Sequence, residues 1–194
     1  MKIRLELDDL RIDLKRQKWN LYFVVATEDP DDSAKSLVTV LPERTVVIRK
    51  MSDNYHDFEG TGEGDPNGMF VLERPMPTDR SVKVRIWVVQ SRKKLRASGE
   101  ILQDITTTIN SEGIATEVLS VALGATTPWI AVATAVLNVG SFIGKMLKKA
   151  KDKEMGMASL DEGFNDQEVA DGHLLRTKSI SGFGEFNLTW IIDD

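Results

Sequence analysis

The sequence contains no cysteine, and this absence excludes disulfide bonds, thiol nucleophiles and thiolate metal ligands. It contains only two histidines, His56 and His173, and neither stands at a spacing typical of a metal ligand or a catalytic triad. A phosphate-binding loop, a nucleophile elbow and a zinc motif are also missing from the sequence. Because nothing in the chain nominates a catalytic centre or a cofactor, we expect a protein that is not an enzyme.

The net charge indicates which partners the protein is suited to bind, and the first residues indicate where in the cell it is located. The net charge of −5 gives no electrostatic reason to expect a nucleic acid as the partner. Charged and apolar side chains alternate over residues 2–7, whereas a secretory signal needs an unbroken apolar core. We therefore expect a cytoplasmic protein, and a length of 194 residues fits a single domain over residues 1–194.

Short alternating segments indicate β-strands through most of the chain. Ile3, Leu5 and Leu7 alternate with charged residues, a pattern that buries one face of a strand and exposes the other. The run over residues 19–27 is apolar on both faces, as expected of a central strand. Short strands separated by turn clusters favour a β-sandwich over a parallel α/β sheet. The further predicted strands cover residues 10–15, 37–41, 45–49, 69–73, 81–90, 174–180 and 186–192.

A stretch of 27 residues, 118–144, carries no charge, although 28% of the chain is charged. Thr127 and Pro128 divide this stretch, because threonine is a good helix N-cap and proline fits the first helical position. After them, apolar residues recur at spacings of three and four over residues 129–150, opposite a polar stripe. The pattern predicts an amphipathic helical hairpin over residues 111–151, inserted before the last strands.

Three roles for this predicted hairpin stay open. The hairpin either packs against its own domain, or forms an interface with a partner or a second copy, or inserts reversibly into a membrane through residues 112–149. The polar stripe favours packing, since a lipid-embedded helix has no use for polar residues along its full length. The residues predicted to form the interface are Trp129, Val132, Val136, Phe142 and Ile143.

Two basic clusters are candidates for binding an anionic surface. The first lies in a loop after the predicted strand 81–90, and the second lies at the end of the predicted hairpin. A well-placed cation near anionic headgroups contributes about 1 kcal/mol. The alternative is a solvated loop together with a helix C-terminus whose cations offset the helix dipole. The first cluster consists of Arg92, Lys93, Lys94 and Arg96, and the second of Lys145, Lys148, Lys149 and Lys151.

Two acidic segments favour either a cation site or ordinary loops. The loop over residues 57–68 is rich in glycine and carboxylates, and carboxylate oxygens are ligands that suit calcium. The spacing of an EF-hand is absent, so the alternative is a hairpin loop without a metal. The second segment, residues 152–172, is predicted to be a flexible acidic connection. The candidate metal ligands in the first segment are Asp57, Glu59, Glu63 and Asp65.

The strand pattern resembles that of C-two domains, the eight-stranded sandwiches often used to bind calcium and membranes. The resemblance rests on residues 82–89 (VKVRIWVV), on the charged loop and residues 97–101 (ASGEI) that follow, and on residues 184–190 (GEFNLTW). It covers roughly residues 1–105 and 183–193. The resemblance implies an antiparallel sandwich with two loops that carry calcium-binding aspartates.

This chain departs from the C-two pattern at the implied calcium site. One loop holds Asp29, Asp31 and Asp32, but residues 90–93 read Gln-Ser-Arg-Lys where the family has an aspartate pair. Cations at that place oppose a bound calcium ion. The resemblance therefore implies that the chain binds an anionic surface without calcium.

Together these patterns predict a mainly β fold with an α insertion. We expect an antiparallel, eight-stranded, C-two-like sandwich formed by residues 1–110 and 173–194, with the hairpin 111–151 and the connection 152–172 before the last strands. The expected function is a non-enzymatic protein-interaction or assembly module. Its expected partners are another protein or a second copy of the chain, with an anionic lipid surface as a further contact. The alternative is a membrane-inserting effector or toxin.

Overall fold

In the computed structural model, the described residues are 1–13, 18–32, 34–49, 55–58, 68–92, 96–119, 128–135 and 138–193. Within them the chain forms eleven β-strands and three α-helices. In chain order these are β1 (Lys2–Ile12), β2 (Lys18–Glu28), β3 (Ser36–Arg49), β4 (Tyr55–Asp57), β5 (Met69–Pro75), β6 (Ser81–Gln90), α1 (Ser98–Ser111), β7 (Thr116–Leu119), β8 (Trp129–Val132), α2 (Val139–Ala150), β9 (Lys153–Gly163), α3 (Asp166–Asp171), β10 (His173–Ile180) and β11 (Gly184–Asp193).

The strands form two antiparallel sheets. One sheet has five strands, in the order β10-β11-β1-β4, with β5 also paired to β1. The other has six strands, in the order β7-β8-β3-β2-β6-β9. Strands that are distant in the sequence pair over their whole lengths, as β1 does with β11 and β6 with β9. Each sheet therefore depends on pairing between strands that are distant in the sequence.

The two sheets pack face to face around one apolar core. Ile3, Leu5 and Leu7 of β1 are fully buried in it, as their alternation predicts. Phe23 of β2 meets Phe186 of β11 edge-on, with ring centroids 5.6 Å apart, and this contact joins the two sheets. The expected mainly β fold with antiparallel sheets is thus confirmed, although the described residues contain eleven strands instead of eight.

The two longer helices cover the outer face of the six-stranded sheet. Tyr22, Val24 and Ala26 of β2 are fully buried on this face, opposite the side that faces the other sheet. Because β2 is covered on both sides, its apolar run over residues 19–27 shows no alternation. The helical side chains buried against this face are Ile101, Leu102, Ile105 and Ile109 of α1, and Val139, Phe142, Ile143, Met146 and Leu147 of α2.

The predicted helical hairpin over residues 111–151 is wrong at residues 116–119 and 129–132, while residues 120–127 and 136–137 lie outside the described residues. The chain forms β7 and β8 there, and β8 pairs with both β7 and β3. Trp129 of β8 enters the core between the sheets, while Ile130 and Val132 enter the layer beneath the helices. A strand that is buried on both faces leaves no polar positions, so its residues fit a helical spacing equally well. Residues 139–150 form the helix α2, as predicted for that part.

The predicted acidic connection over residues 152–172 is instead β9 followed by α3. Ala158, Leu160 and Glu162 of β9 are buried and alternate with exposed residues, which is the pattern of a half-buried strand. The short helix α3 begins with a capping box, in which Glu168 N donates to Asn165 Oδ1 at 3.0 Å and Asn165 N donates to Glu168 Oε2 at 3.1 Å. The acidic residues that indicated a loop lie largely on the exposed sides of these two elements.

Candidate interaction surfaces and a buried polar cluster

Asp152 is the centre of a buried polar cluster at the junction of α2 and β9. Its side chain is fully buried. Three groups donate hydrogen bonds to its carboxylate: Tyr22 Oη at 2.9 Å, the backbone N–H of Arg92 at 3.0 Å and Arg96 Nη1 at 2.8 Å. The donors come from β2 and from both ends of the segment after β6. One carboxylate therefore joins three parts of the chain.

Arg96 extends the cluster to the helical layer and to β3. Only 2% of its side chain is exposed, and it forms a second ion pair with Asp104 of α1. Its backbone N–H donates to Thr45 Oγ1 at 3.2 Å, and Thr45 N donates to the Arg96 carbonyl at 3.1 Å. The prediction that Arg96 binds an anionic surface is wrong, because its guanidinium is buried and held by two carboxylates of the same chain.

The electrostatics of the cluster favour a structural role. Burial, and then the negative charge of Asp152, raise the pKa of the Tyr22 hydroxyl above its ordinary value, so that Tyr22 remains a donor. Burial opposes the charge of Arg96, but the carboxylates of Asp104 and Asp152 outweigh it and raise the pKa of the guanidinium. Buried charges that are paired in this way fix the positions of the elements that carry them.

The C-terminus of α2 places Asp152 in the interior and its two neighbours at the surface. Lys151 adopts a left-handed conformation with a φ of 59°, and Asp152 N donates to the Leu147 carbonyl at 3.0 Å. This pattern is that of a Schellman motif, which ends a helix and reverses the chain direction. Asp152 is consequently buried, while Lys151 and Lys153 on either side of it are exposed.

The same turn brings two basic segments of the sequence together. Because Arg92 N is bound to the Asp152 carboxylate, the loop after β6 lies against the end of α2. The exposed cations at this place have no ion-pair partner among the described residues, whereas Lys145 pairs with Glu112 at 2.8 Å. Lys93 and Lys94, which the sequence also nominated, lie outside the described residues. The cations that form this surface, here called the basic face, are Arg92, Lys148, Lys149, Lys151 and Lys153.

The apolar residues nominated for a protein interface belong to the chain's own core. Trp129, Val132 and Ile143 are fully buried, and Phe142 is 8% exposed. Val136 lies outside the described residues. The prediction of an interface through these four side chains is wrong, because all four already pack inside the folded chain. No helix in the described part of the chain is both long and apolar enough to cross a bilayer.

The nominated metal ligands do not come together in the described structure. Asp57 is exposed at the end of β4, and Glu59, Glu63 and Asp65 lie outside the described residues. Among the residues that the structure describes, no three histidine or carboxylate side chains are grouped so that they would hold a metal ion.

The two loops that a C-two calcium site requires lie at opposite ends of the six-stranded sheet. Thr27 pairs with Val84, so the loop after β2 lies near the beginning of β6. Leu21 pairs with Gln90, so the loop after β6 lies near the beginning of β2. The eight residue-to-residue steps from Asn20 to Glu28 separate the two loops by about 26 Å along the strand. The arrangement that the resemblance implies for calcium is therefore not formed.

Comparison of the chain with protein-family models, with curated proteins and with solved structures returns no significant match. The proposed function is therefore argued from the architecture of this chain alone. This architecture consists of two antiparallel sheets packed face to face, a helical layer on the six-stranded sheet and a basic face at the end of α2.

Proposed function

We propose that this protein is a non-enzymatic interaction module that attaches reversibly to an anionic membrane surface through its basic face, without calcium. One observation carries the proposal. Two basic segments converge on the buried carboxylate of Asp152, and five exposed cations around it have no ion-pair partner among the described residues. Unpaired cations that lie close to one another around a single turn are suited to contact phosphate and carboxylate headgroups.

The expected binding is weak and depends on salt. A cation close to anionic headgroups contributes about 1 kcal/mol, so the basic face supplies about 5 kcal/mol in total. That free energy corresponds to a dissociation constant on the order of 0.1 mM. Because exposed charges are screened by dissolved ions, the affinity falls as the ionic strength rises. Such binding is reversible and suits a module that also has a protein partner.

The negative net charge of the chain does not prevent this contact. The chain carries a net charge of −5, which on average repels an anionic surface. At physiological ionic strength, however, charges separated by more than about 8 Å are largely screened from one another. The headgroups therefore interact mainly with the side chains that face them, and the protein binds in one orientation.

The basic face needs no calcium ion, because the protein supplies the positive charge itself. Calcium-dependent modules place a metal between two sets of acidic groups, whereas here lysine and arginine side chains face outward. A C-two-like identity for the sandwich stays a hypothesis. The basic face would act in the same way whether or not the sandwich is related to C-two domains.

Flotation with phosphatidylcholine vesicles that contain about 30 mol% phosphatidylserine tests the proposal, in a buffer of about 0.1 M ionic strength with EGTA. We expect the wild-type chain to float with these vesicles and not with phosphatidylcholine alone. The variant Lys148→Gln, Lys149→Gln, Lys151→Gln removes three of the five cations, so its partition should fall on the order of 100-fold. A variant with the same change in charge elsewhere, Lys2→Gln, Lys35→Gln, Lys83→Gln, should float like the wild type.

The proposal fails if the wild-type chain does not float in this buffer, or if both triple variants lose binding equally. The same vesicles, loaded with a dye, separate surface attachment from the alternative of a membrane-inserting effector. Attachment through the basic face leaves the dye inside, whereas release of the dye at neutral or acidic pH would favour the alternative.

A further inference from the structure

Strand β10 is an edge strand whose outer side has no pairing partner among the described residues. It pairs with β11 on one side only, from His173 to Ile180. Phe183 N donates to the Ile180 carbonyl at one end, and Ile192 N donates to the Gly172 carbonyl at the other. Because hydrogen-bonded pairs alternate along an antiparallel ladder, the even-numbered residues bond to β11. The odd-numbered residues direct their N–H and C=O groups outward.

Leu175 lies on this edge with 76% of its surface exposed, the largest value for any large apolar residue among those described. The other odd-numbered side chains of β10, His173, Thr177 and Ser179, are exposed and polar. The ladder with β11 shows no register shift, and the strand contains no proline. Unpaired backbone groups on a regular edge are a template for another strand. An exposed leucine adds apolar surface that such a strand would bury.

The cations of β10 do not protect this edge. Edge strands are often protected from pairing by charged side chains. Here Arg176 forms ion pairs with Glu168 and, at 3.7 Å, with Glu162, and Lys178 also pairs with Glu162. Both cations therefore point toward β9 and α3, away from the face that carries Leu175. They do, however, restrict the registers in which a second strand can pair.

We propose that β10 pairs antiparallel with β10 of a second copy of this chain, about a two-fold axis through Leu175. In this register Leu175 lies opposite Leu175 of the other copy, and His173 lies opposite Thr177. Both are hydrogen-bonded pairs, because both join odd-numbered residues whose backbone groups point outward. Arg176 lies opposite Leu174 on the other face. The interface is isologous and closes as a dimer.

The neighbouring symmetric registers are less favourable. An axis through Arg176 sets that residue opposite itself, and an axis through Thr177 sets Arg176 opposite Lys178. Like charges that lie directly opposite each other destabilise a sheet. An axis through Leu174 avoids this repulsion but shortens the ladder within β10. The axis through Leu175 is thus the one that keeps the longest ladder without opposed cations, and this self-complementarity favours a second copy over an unrelated strand.

Sedimentation velocity over a range of protein concentrations tests the dimer without any membrane. We expect the wild-type chain to pass from monomer to dimer as its concentration rises. Leu175→Lys places two ammonium groups at the axis and should weaken dimerisation by about tenfold or more. Val47→Lys charges another exposed apolar residue, which is 44% exposed on β3, and should leave dimerisation unchanged. A wild-type chain that stays monomeric at the highest soluble concentration overturns the proposal.

Engineered cysteines test the register, since the natural chain has none. In the proposed dimer the two Cα atoms at position 175 lie about 5.5 Å apart, which is within the range of a disulfide. The two Cα atoms at position 179 lie about 27 Å apart. Leu175→Cys should therefore form a cross-linked dimer under mild oxidation, and Ser179→Cys should not. Equal cross-linking of the two variants, or preferential cross-linking of Ser179→Cys, would refute the register.

Discussion

Replacement of Asp152 by alanine is expected to lower the free energy of unfolding by about 3–5 kcal/mol. The carboxylate is fully buried and accepts hydrogen bonds from Tyr22, Arg92 and Arg96 at 2.9, 3.0 and 2.8 Å. Alanine leaves these donors in the interior without that acceptor, and Arg96 keeps only Asp104 as its counter-ion. Since a domain is typically stable by 5–15 kcal/mol, such a loss is a large fraction of the total.

Urea denaturation measures this loss. We expect a lower transition midpoint with an unchanged slope, because the variant exposes the same surface on unfolding as the wild-type chain. Asp166→Ala is the matched control, since the Asp166 side chain is 92% exposed and pairs with Arg80 at the surface. An exposed pair of this kind contributes less than about 1 kcal/mol.

A double-mutant cycle shows whether the cluster acts as a unit. Arg96→Met alone leaves the buried carboxylate of Asp152 without its cation, while the double variant Arg96→Met, Asp152→Ala removes both charges. The sum of the losses in unfolding free energy of the two single variants should therefore exceed the loss of the double variant by about 1–3 kcal/mol. Additive losses, or a loss below about 1 kcal/mol for Asp152→Ala, would refute the inference that this buried pair holds the helical layer to the sheet.

Two further predictions concern the same cluster. Because the pKa of Tyr22 is raised on folding, its proton is lost first from the unfolded chain as the pH rises above about 10, and stability should then fall by about 1.4 kcal/mol per pH unit from this group. Urea denaturation between pH 9 and 11, in steps of about half a unit, should show this extra slope in the wild type and not in Tyr22→Phe. Asp152→Asn removes one negative charge beside the basic face, so simple electrostatics predicts tighter vesicle binding. We expect weaker flotation instead, because a neutral amide no longer holds Arg92 and Arg96 in place. Stronger flotation of Asp152→Asn than of the wild type would contradict the inference that Asp152 positions the basic face.

The core strands of the sandwich were predictable from local patterns. The alternation at Ile3, Leu5 and Leu7 correctly places one face of β1 in the core. The absence of alternation over residues 19–27 correctly predicts a strand in the middle of its sheet. The first prediction succeeds because exposure alternates with parity in a strand that is covered on one face, and the second because a strand that is covered on both faces is apolar throughout. For such strands the local sequence pattern is sufficient to predict the structure.

Patterns failed where a distant partner decides the structure. The acidic residues of 152–172 indicated a connection, yet β9 forms because β6 offers it a full-length pairing edge. The basic candidates show the same limit. Arg92 and Arg96 belong to the same basic cluster of the sequence, but only Arg96 is buried, where it forms ion pairs with Asp104 and Asp152. The free edge of β10 likewise depends on which strands pair, and no signal within residues 173–180 predicts it.

The charge-free stretch over residues 118–144 includes β8 and the first part of α2, and the burial of these two elements explains why they carry no charge. In β8, Trp129 faces the core between the sheets, while Ile130 and Val132 face the helical layer. A charged side chain on either face would be buried away from water, which costs free energy. In α2, Val139, Phe142 and Ile143 face the sheet, and the exposed positions regain charges from Lys145 onward. Burial on both sides of a strand followed by burial on one side of a helix therefore accounts for the missing charges in these elements, with no need for a bilayer.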